Sequence, residues 1–169
     1  MKLHPDFKPG MAAEHSSESS KNFEALNKKI IACRNCPRLV AWREEVALIK
    51  RKTYLDWDYW GKPVPGFGDH SARVLVVGLA PGAHGSNRTG RQFTGDGSGG
   101  FLYPALYRAG FASQPQSIQR DDGLTLKDMY ITASARCARD RRTSGASSVR
   151  LAGLELTDGQ PMCPGPKSA

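Results

Sequence analysis

The sequence predicts an α/β domain built around a parallel β-sheet, and three observations support this prediction. Residues 74–77 and 129–132 are short apolar and β-branched runs, typical of strands that are buried on both faces of a parallel sheet. Between them, residues 101–109 carry apolar side chains at helical spacing, and Gly110 follows. A strand, a helix and a second parallel strand form a right-handed βαβ unit.

The segments before the first strand predict a tail, two helices and an irregular stretch. Residues 1–20 are polar and serine-rich, which is typical of a disordered tail. Apolar side chains at helical spacing predict a helix that begins near residue 20. Residues 33–36 (CRNC) interrupt this pattern, and Pro37 is well placed to start a second helix. Residues 54–69 are aromatic and turn-rich, so we expect them to pack irregularly on the sheet edge.

The sequence changes character after Cys137. Residues 138–169 are rich in Arg, Ser, Thr, Gly and Pro, have little periodicity and predict no third strand. We therefore divide the chain into a disordered tail (1–20), the N-terminal part of a folded domain (21–137) and a divergent, disordered tail (138–169). A sheet that stops after about two strands exposes an edge and an apolar face, so we expect low stability and aggregation.

The composition favours some partners and excludes others. A net charge of +8 and an isoelectric point near 9.5 favour an acidic partner such as nucleic acid. Charge alone is weak support, because many basic proteins bind no nucleic acid. The sequence has no apolar run long enough to span a bilayer and no signal peptide with a hydrophobic centre. We therefore expect a cytoplasmic protein with no membrane association, and we expect a monomer.

The chain contains four cysteines, which are Cys33, Cys36, Cys137 and Cys163. In a cytoplasmic protein, cysteines indicate metal binding or catalysis before disulfides. Four thiolates suit a [4Fe–4S] cluster or a structural zinc site, and their spacing does not choose between the two. A metal-free CxxC pair with two unrelated cysteines stays open as an alternative.

The loop after the first strand is the predicted ligand site. Residues 78–96 read GLAPGAHGSNRTGRQFTGD, with several glycines, two arginines, an aromatic ring and a carboxylate. In open α/β sheets, ligands bind where loops leave the carboxyl ends of strands. The loop contains neither the lysine-containing P-loop pattern nor the dinucleotide fingerprint G-x-G-x-x-G. The alternative is a glycine-rich surface loop that only connects a strand to a helix.

This loop resembles the first active-site motif of the type-5 (family 5) uracil-DNA glycosylases. Residues 33–46 (CRNCPRLVAWREEV), 59–69 (YWGKPVPGFGD) and 101–111 (FLYPALYRAGF) extend the resemblance, which runs to about Cys137 and then ends. It implies a three-layer uracil-DNA-glycosylase fold with a parallel sheet, of which only the N-terminal half is present. It also implies excision of uracil from DNA by hydrolysis of the N-glycosidic bond, the first step of base excision repair.

The resemblance assigns roles to residues of the loop. A glycosylase holds an unstacked base in a pocket. Asp96 is the expected catalytic residue, which stabilises the sugar cation or orients the attacking water. Its alternative role is to cap the following helix, and the alternative for the expected stacking ring, Phe93, is core packing. The expected uracil contacts are Gly78, Leu79, Ala80, Pro81, Gly82 and Phe93, and the expected DNA phosphate contacts are Asn87, Arg88 and Arg91.

The resemblance also implies a [4Fe–4S] cluster held by Cys33, Cys36 and Cys137, with zinc as the alternative metal. Cys163 lies later than the family's fourth ligand, in a sequence without family likeness. The family's asparagine after the third cysteine, its further strands and its late histidine loop are not visible either. We therefore hypothesise a truncated or frameshifted, inactive product. Translation of the two other reading frames downstream of Cys137 tests this hypothesis.

Two further functions stay open at the level of sequence. One is a small iron–sulfur or zinc protein that binds nucleic acid without catalysis. The other is a fragment without function. An excision assay on DNA that contains uracil separates both of them from a glycosylase.

Overall fold

The computed structural model describes residues 9–139, and it describes side chains from Ser20 onward. The predicted tail 138–169 lies almost entirely outside this range. The helices are α1 (Pro9–Ala32), α2 (Pro37–Ile49), a short 3₁₀ helix (Lys52–Tyr54), α3 (Ser86–Thr89) and α4 (Gly97–Arg108). The strands are β1 (Phe67–Gly68), β2 (Val74–Gly78) and β3 (Met129–Ala133). None of the helices within residues 9–139 is long and apolar enough to cross a membrane.

Helix α1 begins earlier than the sequence predicts. It starts at Pro9 and not near residue 20, so residues 9–20 belong to the helix. Proline is well tolerated in the first turn of a helix, and Met11, Ala12 and Ala13 are good helix formers. The serine-rich composition that suggested disorder does not break the helix.

The three strands form one mixed sheet in the order β1-β3-β2. Strands β2 and β3 are parallel, with Val74 opposite Met129 and Gly78 opposite Ala133, so the predicted strand–helix–strand unit is confirmed. Strand β1 pairs antiparallel with β3, with Phe67 opposite Ile131. The prediction of a purely parallel sheet is therefore wrong at β1, a two-residue strand that is too short to give a sequence signal.

The core lies between α4 and the side of the sheet centred on β3. Its buried members come from α4, the segment that follows it and β3: Tyr103, Leu106, Ala112, Leu124, Leu126, Met129 and Ile131. Tyr103 and Ile131 are fully buried. Because β3 is the central strand, its residues are shielded by strands on both sides and by α4.

Strand β2 is far more exposed than the sequence predicts. Leu75 is 62% exposed and Val77 is 45% exposed, whereas the sequence predicted burial on both faces. These two residues and Leu79 alternate along the chain and so share one face of the strand. Within the described residues β2 pairs only with β3, so it forms an edge of the sheet. The uncovered apolar face that we expected of an incomplete sheet is therefore present.

Candidate functional site

The loop after β2 folds back on itself twice before it reaches α4. The Asn87 N–H donates to the Gly82 carbonyl at 2.9 Å and the Thr89 N–H donates to the Gly85 carbonyl at 2.9 Å, which closes the single turn of α3. Gly90 has a φ of 78° and ends this turn in the left-handed conformation. The reversal brings the end of the loop, at Asp96, back against its beginning.

Asp96 performs two structural tasks with two different oxygens. Its Oδ1 accepts hydrogen bonds from the N–H groups of Ser98 at 3.1 Å and Gly99 at 3.2 Å, and so caps α4. Its Oδ2 lies against the loop, because a Cβ added at Gly85 would be 1.9 Å from it and one at Gly82 would be 2.9 Å from it. The capping alternative is therefore correct, and it leaves the second oxygen facing the loop.

A cavity of about 880 Å³ opens beside this carboxylate. One wall is residues 79–85 of the loop and a second is residues 95–97, which include Asp96. The remaining lining comes from α2, the 3₁₀ region and the end of the described chain: Trp42, Arg51, Tyr54 and Arg139. The structure thus brings Leu79, Ala80, Pro81, Gly82 and Asp96 to one cavity at the carboxyl end of β2.

Phe93 and Gly78 do not line this cavity. The Phe93 ring lies against Gly78, where an added Cβ would be 2.9 Å from the ring, and packs on the core cluster. Phe93 therefore occupies the core-packing position that was the alternative to uracil stacking. Its φ of 50° is unusual for an aromatic residue and indicates local strain beside the site.

The three residues expected to contact DNA phosphate are buried. Asn87, Arg88 and Arg91 are 0%, 3% and 2% exposed. Asn87 donates to the Arg43 carbonyl at 3.2 Å, and Arg91 forms a two-point ion pair with Asp122 at 2.8 and 2.7 Å. Their positions argue against a phosphate contact and assign them to the support of the loop.

Sequence reasoning gave His84 no role, yet it lines the cavity. The Tyr59 hydroxyl lies 3.1 Å from His84 Nδ1. Burial lowers the pKa of His84, and the positive charges of Arg51 and Arg88 lower it further. These effects favour the neutral imidazole. Arg51, from the basic run 50–52, and Arg139 supply positive charge at the same cavity.

Comparison with known proteins decides the family. Residues 65–160, which are more than half of the chain, match the family model described as the uracil DNA glycosylase superfamily. The chain belongs to this superfamily. The match continues past Cys137 to residue 160, so the expectation that family likeness ends at Cys137 is wrong for this comparison.

Several curated proteins of this superfamily are similar to the chain. The type-5 uracil-DNA glycosylase of Thermus thermophilus is 61% identical over 115 residues, which are 68% of this chain and 52% of that protein. The type-5 enzyme of Mycobacterium leprae is 58% identical over 113 residues, 67% of this chain and 49% of that protein. The type-5 enzyme of Pyrobaculum aerophilum is 48% identical over 127 residues, 75% of this chain and 55% of that protein. The chain therefore spans about half the length of these relatives.

Cys33 and Cys137 lie beside one buried arginine, Arg43. Both cysteines are among the expected metal ligands. Arg43 of α2 is 2% exposed, and its Nη1 donates to the Cys137 sulfur at 2.9 Å and to the Cys33 carbonyl at 3.3 Å. The pKa of Cys137 is raised, because burial outweighs the opposing effect of Arg43. Cys36 is the N-cap residue of α2, and Cys163 lies outside the described residues.

The cysteines within the described residues do not form a complete metal site. Among the side chains of residues 20–139, no three from His, Cys, Asp or Glu are close enough together to hold a metal ion. The guanidinium beside Cys137 nevertheless suits a deprotonated sulfur, which is the form that binds metals. The surroundings of Cys137 therefore suit the expected cluster, whereas the described residues do not provide a complete set of metal ligands.

Proposed function

We propose that this site binds uracil extruded from DNA and excises it by hydrolysis of the N-glycosidic bond. One observation carries the proposal: Asp96 Oδ2 lies against Gly82 and Gly85 at the edge of a cavity that the loop itself lines. The relatives named as uracil-DNA glycosylases support the same chemistry. The loop, the carboxylate and the cavity are all built within the described residues. The proposal therefore departs from the expectation of an inactive product.

The reaction places negative charge on the base and positive charge on the sugar. As the bond between C1′ and the base nitrogen breaks, uracil leaves as an anion and the sugar becomes a cation. Asp96 Oδ2 is placed to stabilise that cation or to orient the water that adds to C1′. A preorganised charge at this point lowers the barrier without reorganisation of solvent.

The loop can supply hydrogen bonds to the uracil anion. Among the backbone hydrogen bonds of residues 9–139, none uses the N–H groups of Ala80, Gly82 or Ala83. All three residues line the cavity. Donors that are fixed in the backbone and not used elsewhere suit a base whose carbonyl oxygens gain negative charge.

The remaining lining of the cavity suits DNA as the partner. Arg51 is exposed, and both it and Arg139 carry positive charge that can bind phosphate. Trp42 and Tyr54 offer aromatic surface at the same cavity, which is where unstacked bases bind in many nucleic-acid proteins. With Phe93 in the core, these two rings are the better candidates for contact with the base.

An Asp96→Asn variant tests the role of the carboxylate. We expect excision to fall by about a hundredfold or more, because a neutral amide cannot stabilise the sugar cation. The measurement is single-turnover release of uracil from single-stranded and duplex oligonucleotides, with thymine at the same position as a control substrate. Asp121→Asn is the matched control, since Asp121 is 81% exposed.

The outcomes of this assay separate the candidate functions. Excision that Asp96→Asn leaves unchanged removes Asp96 from the mechanism. Preferred binding of uracil-containing DNA without excision by the wild-type chain supports the alternative of a non-catalytic nucleic-acid-binding protein. A chain that neither excises uracil nor distinguishes it from thymine contradicts the proposal.

We further propose that Cys33, Cys36 and Cys137 bind a [4Fe–4S] cluster, with zinc as the alternative. The hydrogen bond from Arg43 to the Cys137 sulfur supports a charged sulfur at this place. We expect protein purified without oxygen to be brown, and Cys137→Ser to lose the colour. Metal analysis that finds zinc, or no metal, contradicts the cluster. Cys163→Ser shows whether that residue is a fourth ligand.

A further inference from the structure

Arg88 holds an unusual position beside the candidate active site. Its guanidinium carbon lies 3.9 Å from the centre of the Tyr54 ring and 4.0 Å from the centre of the Trp57 ring. The side chain is only 3% exposed. The cation therefore lies in contact with two aromatic rings, which are nearly perpendicular to each other at 78° and together fix its place.

The same guanidinium joins the two walls of the cavity. Its Nε donates to the His84 carbonyl at 2.7 Å, on the segment before α3. Its Nη2 donates to the Gly95 carbonyl at 2.8 Å, on the segment after α3. Both carbonyls belong to residues that line the cavity, and Gly95 directly precedes Asp96. One side chain thus sets the separation between the loop and the carboxylate.

The Gly95 backbone is shaped around this cation. Gly95 has a φ of 74°, and an added Cβ would be 2.5 Å from Arg88 Nη2. The backbone N–H of Trp60 also donates to the Arg88 carbonyl at 2.9 Å and so holds the Arg88 backbone. The position of the Asp96 backbone therefore follows from the position of Arg88.

Burial of the Arg88 guanidinium is expected to lower the stability of the fold. Arg88 has no carboxylate partner among the ion pairs of the described residues. Its Nη1 is buried without a hydrogen-bond partner in the same part of the chain. A buried charge without a counter-ion lowers the stability of a fold unless other interactions compensate. The contacts of this arginine are therefore better explained by a role in fixing the geometry of the site than by a contribution to stability.

We propose that Arg88 is a positioning residue for Asp96. It acts by binding the His84 and Gly95 carbonyls while the rings of Tyr54 and Trp57 contact its guanidinium, and it does not touch the substrate. This inference rests on the proposed function, because Asp96 is the residue that it positions. Lysine cannot replace it, since an ammonium group has neither a planar face to lie against a ring nor two donors in fixed directions.

The test compares Arg88→Lys and Arg88→Met with Arg73→Lys, whose arginine is exposed and paired with Asp128. Two readouts are followed in folded protein: the preference for uracil over thymine in single-turnover excision and binding, and the amide NMR signals of Ser98 and Gly99. Those two amides donate to Asp96 and so report its position. We expect both Arg88 variants to lose about tenfold or more of the preference and to shift the amide signals. Arg73→Lys changes neither readout.

A second pair of variants covers the case in which the Arg88 variants do not fold. Trp57→Leu removes one of the two ring faces, whereas Trp57→Phe keeps one. We expect the leucine variant to lose more of the uracil preference than the phenylalanine variant. Folded Arg88 variants with unchanged Ser98 and Gly99 signals overturn the inference, and so do equal effects of the two Trp57 variants. A wild-type chain without uracil preference overturns the proposed function instead.

Discussion

Replacement of Gly85 by alanine is expected to reduce uracil excision strongly while the fold persists. The added Cβ would lie 1.9 Å from Asp96 Oδ2 and 2.6 Å from its Cγ, which no contact between such atoms permits. Asp96 cannot move away without loss of its bonds to the first turn of α4. We expect excision to fall by about a hundredfold, because small displacements of a catalytic group have effects of this size. Single-turnover excision and thermal melting measure the two effects separately.

Gly100→Ala is the matched control for this substitution. Gly100 lies in α4, and an added Cβ there meets no atom within 4 Å. Because alanine is the better helix former, we expect unchanged excision and a stability gain of up to about 1 kcal/mol. If Gly85→Ala retains full excision, the Asp96 side chain does not need its place against the loop, and the assignment of its role is wrong.

The features that the sequence predicted are those set by local order along the chain. The loop leaves a strand and enters a helix, so its place at the carboxyl end of β2 follows from the strand–helix–strand pattern. Asp96 precedes a helix and is therefore both near the loop and near the N-terminus of α4. Neither inference required knowledge of residues distant in sequence.

The side chains that the sequence placed wrongly are those whose partners lie far along the chain. Arg88 contacts Tyr54 and Trp57, and Arg91 pairs with Asp122. An arginine in a glycine-rich loop has the same local sequence whether it faces a phosphate or a buried carbonyl. Only tertiary contacts distinguish the two cases. The sequence therefore predicted that these arginines contact DNA phosphate, whereas in the structure they bind groups within the protein.

Strand β2 shows the opposite kind of error. Its apolar run is typical of a strand covered on both faces, and the same run would serve that role in a sheet with more strands. In this structure the face formed by Leu75 and Val77 is uncovered. Burial of a strand depends on what packs against it, and the chain spans about half the length of its relatives. The pattern therefore predicted the strand and not its environment.

Removal of the buried Arg91–Asp122 pair is expected to cause a large loss of stability. Arg91 is 2% exposed and Asp122 is 11% exposed, and the pair joins the loop to residues 117–122. An Asp122→Asn variant leaves the guanidinium charge buried without its partner, so we expect a loss of about 3 kcal/mol in the free energy of unfolding. Asp128→Asn is the control, because its partner Arg73 is 86% exposed and an exposed pair contributes at most about 1 kcal/mol.

The same pair predicts how stability depends on pH. Burial alone would raise the pKa of Asp122, but Arg91 and the N–H groups of Ile118 and Leu124 outweigh it and lower the pKa from 3.8 to about 2. Because the folded value lies below the unfolded one, the stabilisation is complete above about pH 4 and is lost as the pH falls towards about 2. The stability difference between wild type and Asp122→Asn should therefore shrink across this range in denaturant titrations. A difference that stays constant down to about pH 2 would show that Asp122 stabilises the loop by its shape and not by its charge.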